Sequence, residues 1–397
     1  MSGLRVALVA DPSSAHTRVW LGGLLEAGHE VRLFSPHKQI PPDDLGVSCR
    51  APLARRAASS ETRAAAADTK VGASASLELR TITRALRLAP ALRAWLRAYA
   101  PDRLIALRLQ PEAYLAALGG THPFGVVAWG QDVLRFAFAH ALHRTYSRQV
   151  VRSADRLWGE TGAVLAGLAQ LGATPTKLGQ AYTGIDLEFW HRPSPSTIED
   201  AMARLAVRHP EWRDWWIARE AGVSLVFSPR AVAREGHQRE LLRAIARDDT
   251  TRLLLAGSGD PAERVHLAAE ARSLGVSERV HDLGLLSPAE LRVVYWRADL
   301  VASLWSPDGL SQTMLEAMAA GAVVLAADLP GNGAWITAGV NGHLVDPRDV
   351  DAITRALRAA LEDRSPRATE HNRGLLASRA DRRINLARWV REVEEMG

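Results

Sequence analysis

The sequence predicts an α/β chain with two parallel sheets, each flanked by helices. Three observations carry this. Apolar runs of strand length alternate with segments of helix length along most of the chain, the pattern of successive βαβ crossovers. That series is interrupted by one heterogeneous stretch and then starts afresh on a new strand. The chain also has 397 residues, more than one hydrophobic core holds, since cores stop growing near about 250–300 residues.

The first series opens with an apolar run from Arg5 to Ala10, a polar loop from Asp11 to His16, a helical pattern from Thr17 to Ala27 and a second strand from Glu30 to Ser35. Gly28 stands where a helix-ending glycine is expected. Residues 46–76, rich in Ala, Ser and Arg and without clear periodicity, read as a connection. From Leu77 to Tyr99 the pattern is helical and basic: Arg80, Arg84, Arg87, Arg93 and Arg97 interleave with Leu79, Ile82, Leu86, Leu92, Trp95 and Leu96. Two readings fit that stripe: a helix packed on a sheet and washed by solvent on its other face, or, over 79–99, a peripheral membrane contact. Strands at Arg103–Leu107 and Phe124–Ala128 and a helix over 136–153 follow.

The stretch 183–221, with Pro193, Pro195 and the cluster Trp212, Trp215 and Trp216, breaks the alternation. It places the boundary between an N-terminal domain over 1–190 and a C-terminal domain over 191–380. The last segment, 381–397, is expected to return to the first domain as a helix carrying Trp389. The second series has strands at Ser224–Phe227, Arg252–Ala256, Val280–Leu283, Leu300–Leu304 and Val323–Ala326. Helices are expected over 238–246, 261–274, 288–296 and 311–320. Each half is thus a Rossmann-like unit.

Composition excludes several classes. With 47% hydrophobic and 23% charged residues the chain is an ordinary globular protein. Forty-nine basic residues against 44 acidic ones give a net +5, too mild an excess over so large a surface to imply nucleic acid. Cys49 is the only cysteine, so intrachain disulfides, Cys-based zinc sites and iron–sulfur clusters are excluded. No apolar stretch reaches the roughly 18 residues of a membrane span, and no secretory pattern opens the chain. The expected location is the cytoplasm, either free or peripheral at the inner face of the membrane.

The stretch that carries most chemistry runs from Ser306 to Gly321, leaving a strand, turning through Pro307-Asp308-Gly309 and entering a helix at Ser311, a good N-cap. The amides of Leu310, Ser311, Gln312 and Thr313 would lie at the positive end of that helix, an anion site at the carboxyl edge of a parallel sheet. A diphosphate fits there. Glu316, one turn beyond Gln312 and embedded between Met314-Leu315 and Ala317-Met318, could accept hydrogen bonds from a cis-diol, and Asp308 could hold sugar hydroxyls. The plainer reading makes Asp308 a turn residue and Glu316 a surface carboxylate.

Two acidic residues separated by seven others, Asp308 and Glu316, together with Asp328-Leu-Pro-Gly-Asn332, Trp335-Ile336 and Gly339-Val-Asn341-Gly342, resemble the donor signature of the retaining GT-B glycosyltransferases of family 4. Asp308 stands in place of the family's usual first Glu. The resemblance implies the GT-B fold, two Rossmann-like domains facing an interdomain cleft. It also implies transfer of a sugar, with retention, from a nucleotide-diphosphate sugar held by the C-terminal domain. Asp308 and Glu316 then serve the reacting sugar, and Arg230 in Ser228-Pro-Arg230 takes the place of the diphosphate-clamping arginine. The family's lysine five residues on is Glu235 here, which leaves Arg234 or His237 as the second cation. Gly257-Ser258-Gly259 matches the small-residue turn at the donor, and His281 falls in the segment that reads the nucleobase. The resemblance implies no cofactor beyond the nucleotide sugar and no metal.

In the first domain, His16, Trp129 and Asp132 are read as acceptor contacts. No side-chain nucleophile is implied, because in front-face attack the departing phosphate accepts the acceptor's proton. The acceptor could be a glycan, a natural product or a lipid-linked molecule. Two alternatives stand beside this: a non-catalytic sugar-nucleotide or glycan-binding protein of the same fold, and an NAD-dependent dehydrogenase. The latter is disfavoured because Asp11-Pro-Ser-Ser-Ala-His16 lacks the glycines of a dinucleotide loop.

Overall fold

The computed structural model describes residues 3–54, 75–120, 123–211, 222–362 and 366–397. They form two compact units, one of Met1–Gly184 with Arg382–Gly397 and the other of Ile185–Asp381. Trp212, Trp215 and Trp216, and most of the connection expected over 46–76, lie outside the described residues.

The first unit holds seven parallel strands: β1 (Arg5–Val9), β2 (Glu30–Phe34), β3 (Cys49–Arg50), β4 (Arg103–Leu107), β5 (Phe124–Ala128), β6 (Arg156–Gly159) and β7 (Leu178–Gln180), ordered β3-β2-β1-β4-β5-β6-β7. The apolar runs Val6 to Val9 and Phe124 to Ala128 are wholly buried, as strands covered on both faces must be. Gly125 in β5 lies against Trp158, where a Cβ would come within 2.6 Å of the ring. The helix Ala75–Tyr99 turns Ile82, Ala85, Leu88, Leu92, Leu96 and Tyr99 into the core and leaves Arg80, Arg87, Arg93 and Arg97 exposed. Most of its apolar stripe is therefore buried in the core of this unit, while Leu86 is exposed. The helix expected over 136–153 is broken instead, because His140 is extended (φ −144°, ψ 155°), and a regular helix begins only at Ala141–Ser153. The closing helix Arg382–Glu395 packs in this unit, with Trp389 against Trp20 (ring centroids 4.5 Å apart) and Trp158 (6.0 Å).

The second unit holds six parallel strands: β8 (Ser224–Ser228), β9 (Thr251–Leu255), β10 (Val280–Asp282), β11 (Leu300–Ser303), β12 (Val323–Ala327) and β13 (His343–Val345), ordered β10-β9-β8-β11-β12-β13. Helices Gln238–Ile245, Pro261–Ser273, Pro288–Arg297 and Gln312–Ala320 fill the crossovers. In each sheet the strand order reverses once, at β1/β4 and at β8/β11. The crevice beyond the carboxyl ends of such a pair is where open α/β sheets bind ligands. No helix among the described residues is long and apolar enough to cross a membrane.

Candidate active site

In the second unit the switch point gathers the residues that follow β8 and β11. Arg230, two residues past β8, donates from Nη1 to Asp308 Oδ2 (2.8 Å) and to Ser311 Oγ (3.3 Å), and its guanidinium lies 4.9 Å from the centre of the Trp305 ring. Asp308 accepts the Gly309 amide at its other oxygen, which fixes the turn. Ser311 caps the helix Gln312–Ala320 by accepting the Met314 N–H, and its hydroxyl is 2.7 Å from that of Ser303 at the end of β11. That cap serves the Met314 amide in the first turn, at the end of the helix where its dipole is positive. Cation, helix start and carboxylate therefore meet at one strand edge.

Glu316 sits one turn further on, partly buried, with Oε2 accepting the Tyr295 hydroxyl at 3.0 Å. Tyr295 is fully buried between Trp190 and Phe227. Burial, and then the Glu316 charge, push its phenol well above the ordinary value, so it stays a donor and holds the carboxylate in one orientation. The structure thus spends a core tyrosine on aiming Glu316.

The turn Gly257-Ser258-Gly259 reaches this site through the backbone. Val232 N–H donates to the Ser258 carbonyl, and a Cβ on Gly259 would meet the Val232 carbonyl oxygen at 2.5 Å. Gly257, at φ +113°, lies against the Arg230–Ala231 peptide, where a Cβ would come within 3.3 Å. The glycines let two strand-end loops touch. Arg234 is exposed on the turn Arg234–Gly236, while His237 is buried 3.7 Å from Glu240. The Glu235 carbonyl accepts the Ser306 amide, which ties that turn to the loop carrying Asp308. Gln238, which sequence reasoning missed, braces the Ala231 carbonyl at 3.0 Å. Gln312 is partly exposed and Thr313 buried in the first helical turn, beside Gly309 and Leu310. His281 stands apart on the edge strand β10, its ring against His209 and Glu211. The chain's Asp-x-Asp triplet, Asp349-Val350-Asp351, is committed elsewhere. Asp349 accepts the Ala352 amide at a helix start, and Asp351 pairs with Arg247.

In the first unit, Arg108 follows β4 with φ 101° and ψ 149°, a strained conformation for a side-chain-bearing residue. Asp132 holds it there: Oδ1 accepts from Arg108 Nη2 (3.2 Å) and Nε (3.4 Å), and Oδ2 accepts the Leu109 amide (3.0 Å). Asp132 is wholly buried, so its carboxylate acts on Arg108. Burial works against the Arg108 charge, but Asp132 and Glu112 outweigh it and raise the guanidinium above its ordinary value. Arg108 lies over the Trp129 ring at 5.0 Å, and the His16 ring stands 5.0 Å from it, tilted by 53°. Beside them, His37 Nε2 is 2.7 Å from Oε1 of the fully buried Glu112. Burial would lower His37, but the hydrogen bond and charge of Glu112 raise it overall. His37, Arg108 and Glu112 were not legible as site residues. Their signal was positional, polar residues just past the ends of buried strands.

A model of the glycosyl transferases group 1 matches residues 211–374, and a model of glycosyl transferase 4-like proteins matches residues 5–161. A D-inositol 3-phosphate glycosyltransferase of Salinispora tropica is 31% identical over 255 residues, 62% of this chain and 51% of the relative. One from Mycobacterium marinum is 31% identical over 237 residues, 59% of this chain and 47% of the relative. The chain spans about half the length of the curated relatives it matches. Among solved structures, Anabaena HepE in complex with UDP gives a TM-score of 0.74 at 16% identity over 100% of both chains. Sucrose-phosphate synthase from Thermosynechococcus elongatus gives 0.76 at 16% identity, over 99% of this chain and 100% of that one. Identities this low show the fold alone, and that fold is GT-B. Residues 211–374 thus belong to the glycosyl transferases group 1 family and residues 5–161 to the glycosyl transferase 4-like family.

Proposed function

We propose that this chain is a retaining glycosyltransferase that moves a sugar from a nucleotide-diphosphate sugar to a hydroxyl-bearing acceptor. The observation that carries the reading is the meeting of Arg230, the Ser311 helix start and the Tyr295-held Glu316 at the β8/β11 edge. The guanidinium fork has donors beyond the Nη1 used on Asp308 and Ser311, and these suit a diphosphate. The helix start adds amides and a positive dipole end. Glu316 accepts a vicinal diol, and Asp308 meets the sugar hydroxyls.

In the reaction, the bond from the sugar's anomeric carbon to the diphosphate oxygen breaks. The acceptor oxygen bonds to the same carbon on the same face, and its proton passes to the departing phosphate oxygen. Arg230 and the helix start stabilise the charge that builds on that leaving group, with Arg234 as the second cation. In this reading side chains and amides, not a metal, meet that charge.

The acceptor falls to the β1/β4 edge of the first unit. Arg108, His16 and His37 offer donors there, Asp11 offers an acceptor, and Trp129 offers an apolar face, the mixture a polyol needs. The curated relatives are named for D-inositol 3-phosphate, a phosphorylated polyol, which supports an acceptor of that chemistry. The test incubates the full chain with UDP-, GDP-, ADP- and dTDP-sugars and a panel of polyol, glycan and lipid-linked acceptors, and reads the anomeric configuration of the product by NMR. The same anomer as the donor supports the reading. The opposite anomer refutes retention, and a bound donor with no transfer to any acceptor leaves a non-catalytic binding protein.

A further inference from the structure

The cluster around His281 has chemistry that sugar transfer does not use. His209 caps the C-terminal end of the helix Pro195–Arg208, with its backbone N–H on the Leu205 carbonyl. Its Nε2 lies 3.2 Å from the Leu283 carbonyl oxygen, an acceptor only, so Nε2 carries the proton and Nδ1 presents a lone pair. That Nδ1 is 3.3 Å from His281 Nε2, which in turn is 3.0 Å from Glu211 Oε1. The three candidate ligand atoms all lie within 4.8 Å of one another.

We propose that His209, Glu211 and His281 form a binding site for a zinc-type divalent cation, separate from the donor site. Ligands about 2.0–2.1 Å from a tetrahedral ion stand about 3.3–3.4 Å apart, so the contacts at 3.3 and 3.0 Å need only small adjustment to receive one. Two imidazoles and a carboxylate select a borderline ion such as Zn²⁺ over Mg²⁺ or Ca²⁺, which favour all-oxygen sets. The Leu283 carbonyl supplies the outer hydrogen bond that fixes the tautomer and ring direction of a metal-bound histidine.

The site would have a structural consequence. β10 is a three-residue strand at the sheet edge, paired among the described residues with β9 alone, and the ion would fasten the end of a preceding helix to it across 72 residues of sequence. Three protein ligands leave the fourth position to water, and Glu211 is exposed, so exchange with solvent is open.

The test uses the full chain freed of metal with a chelator. Zinc binding is read by competition with a chromophoric chelator, cobalt binding by its visible spectrum, and thermal midpoints are taken with Zn²⁺ or Mg²⁺. The proposal predicts one Zn²⁺ per chain, a tetrahedral cobalt spectrum and a midpoint raised by Zn²⁺ but not Mg²⁺. His209→Ala and His281→Ala should each weaken zinc binding by at least about tenfold. Glu211→Gln, at an exposed position, keeps the test decisive if a histidine variant does not fold, and should alter the cobalt spectrum with the fold intact. Absence of stoichiometric binding, or Zn²⁺ affinity and cobalt spectrum unchanged in Glu211→Gln and His281→Ala, overturns the proposal.

Discussion

Tyr295→Phe removes one oxygen and almost nothing else. The ring keeps its packing against Trp190 (5.3 Å) and Phe227 (5.4 Å), so no cavity of side-chain size opens. What is lost is the 3.0 Å bond to Glu316, together with the hydrogen bond that the Thr313 side chain makes to the same hydroxyl. A hydrogen bond to a charged group contributes about 1.5–3 kcal/mol. Glu316 is only partly buried and water can replace part of the bond, so the lower end applies. About 1.5 kcal/mol is roughly a tenfold change in a binding constant. If Glu316 holds the donor's diol, the variant should bind the nucleotide sugar about tenfold more weakly by titration calorimetry, with the free nucleoside diphosphate affected less if the diol lies on the sugar. A urea midpoint close to that of the parent checks that the fold is intact. Unchanged donor affinity in a folded Tyr295→Phe chain would refute the idea that an aimed Glu316 carboxylate binds the donor.

Arg230→Met keeps much of the side-chain length but removes the fork on Asp308 and Ser311, and should weaken nucleoside-diphosphate binding by about 10- to 100-fold in the same calorimetric assay. His37 binds its proton more tightly in the folded chain than in the unfolded one. Its ion pair with Glu112 therefore stabilises fully below the unfolded ring's value near about 6.5 and fades as pH rises through the higher folded value. The stability gap between the parent and His37→Gln in urea titrations should accordingly shrink as pH rises above about 6.5, and a gap that widens with pH would contradict the pairing. Trp389→Ala empties a site between Trp20 and Trp158 without breaking a hydrogen bond, since its indole N–H has no partner, and should cost about 3–5 kcal/mol of stability by chemical denaturation.

The strands were legible wherever burial on both faces forces a continuous apolar run. Arg103–Leu107 and Phe124–Ala128 have the predicted limits for that reason. The two- and three-residue edge strands β3, β7 and β13 carry no such run, and β10 stops at Asp282, one residue short of its expected end. On the donor side, the N-cap at Ser311 was readable because capping is local: one hydroxyl, three residues from the amide it accepts. Tyr295 was not, since nothing in its own helix says that its hydroxyl will meet Glu316, 21 residues on. The same holds for Arg108, whose strain and tie to Asp132 exist only once β4 and β5 pair, and for His209 and His281, brought together at the sheet edge. Asp132 illustrates the limit from the other side. Its position past β5 was readable, but its burial under Arg108 was not.

The central claim is that the β8/β11 edge binds a nucleotide sugar through Glu316 and Arg230. Its most direct measurement is calorimetric titration of the parent chain and Glu316→Ala with UDP-, GDP-, ADP- and dTDP-sugars, with circular dichroism confirming the fold of each. The account predicts saturable binding of at least one nucleotide sugar to the parent and its loss in Glu316→Ala. Binding of none, or equal affinity in both chains, would contradict it.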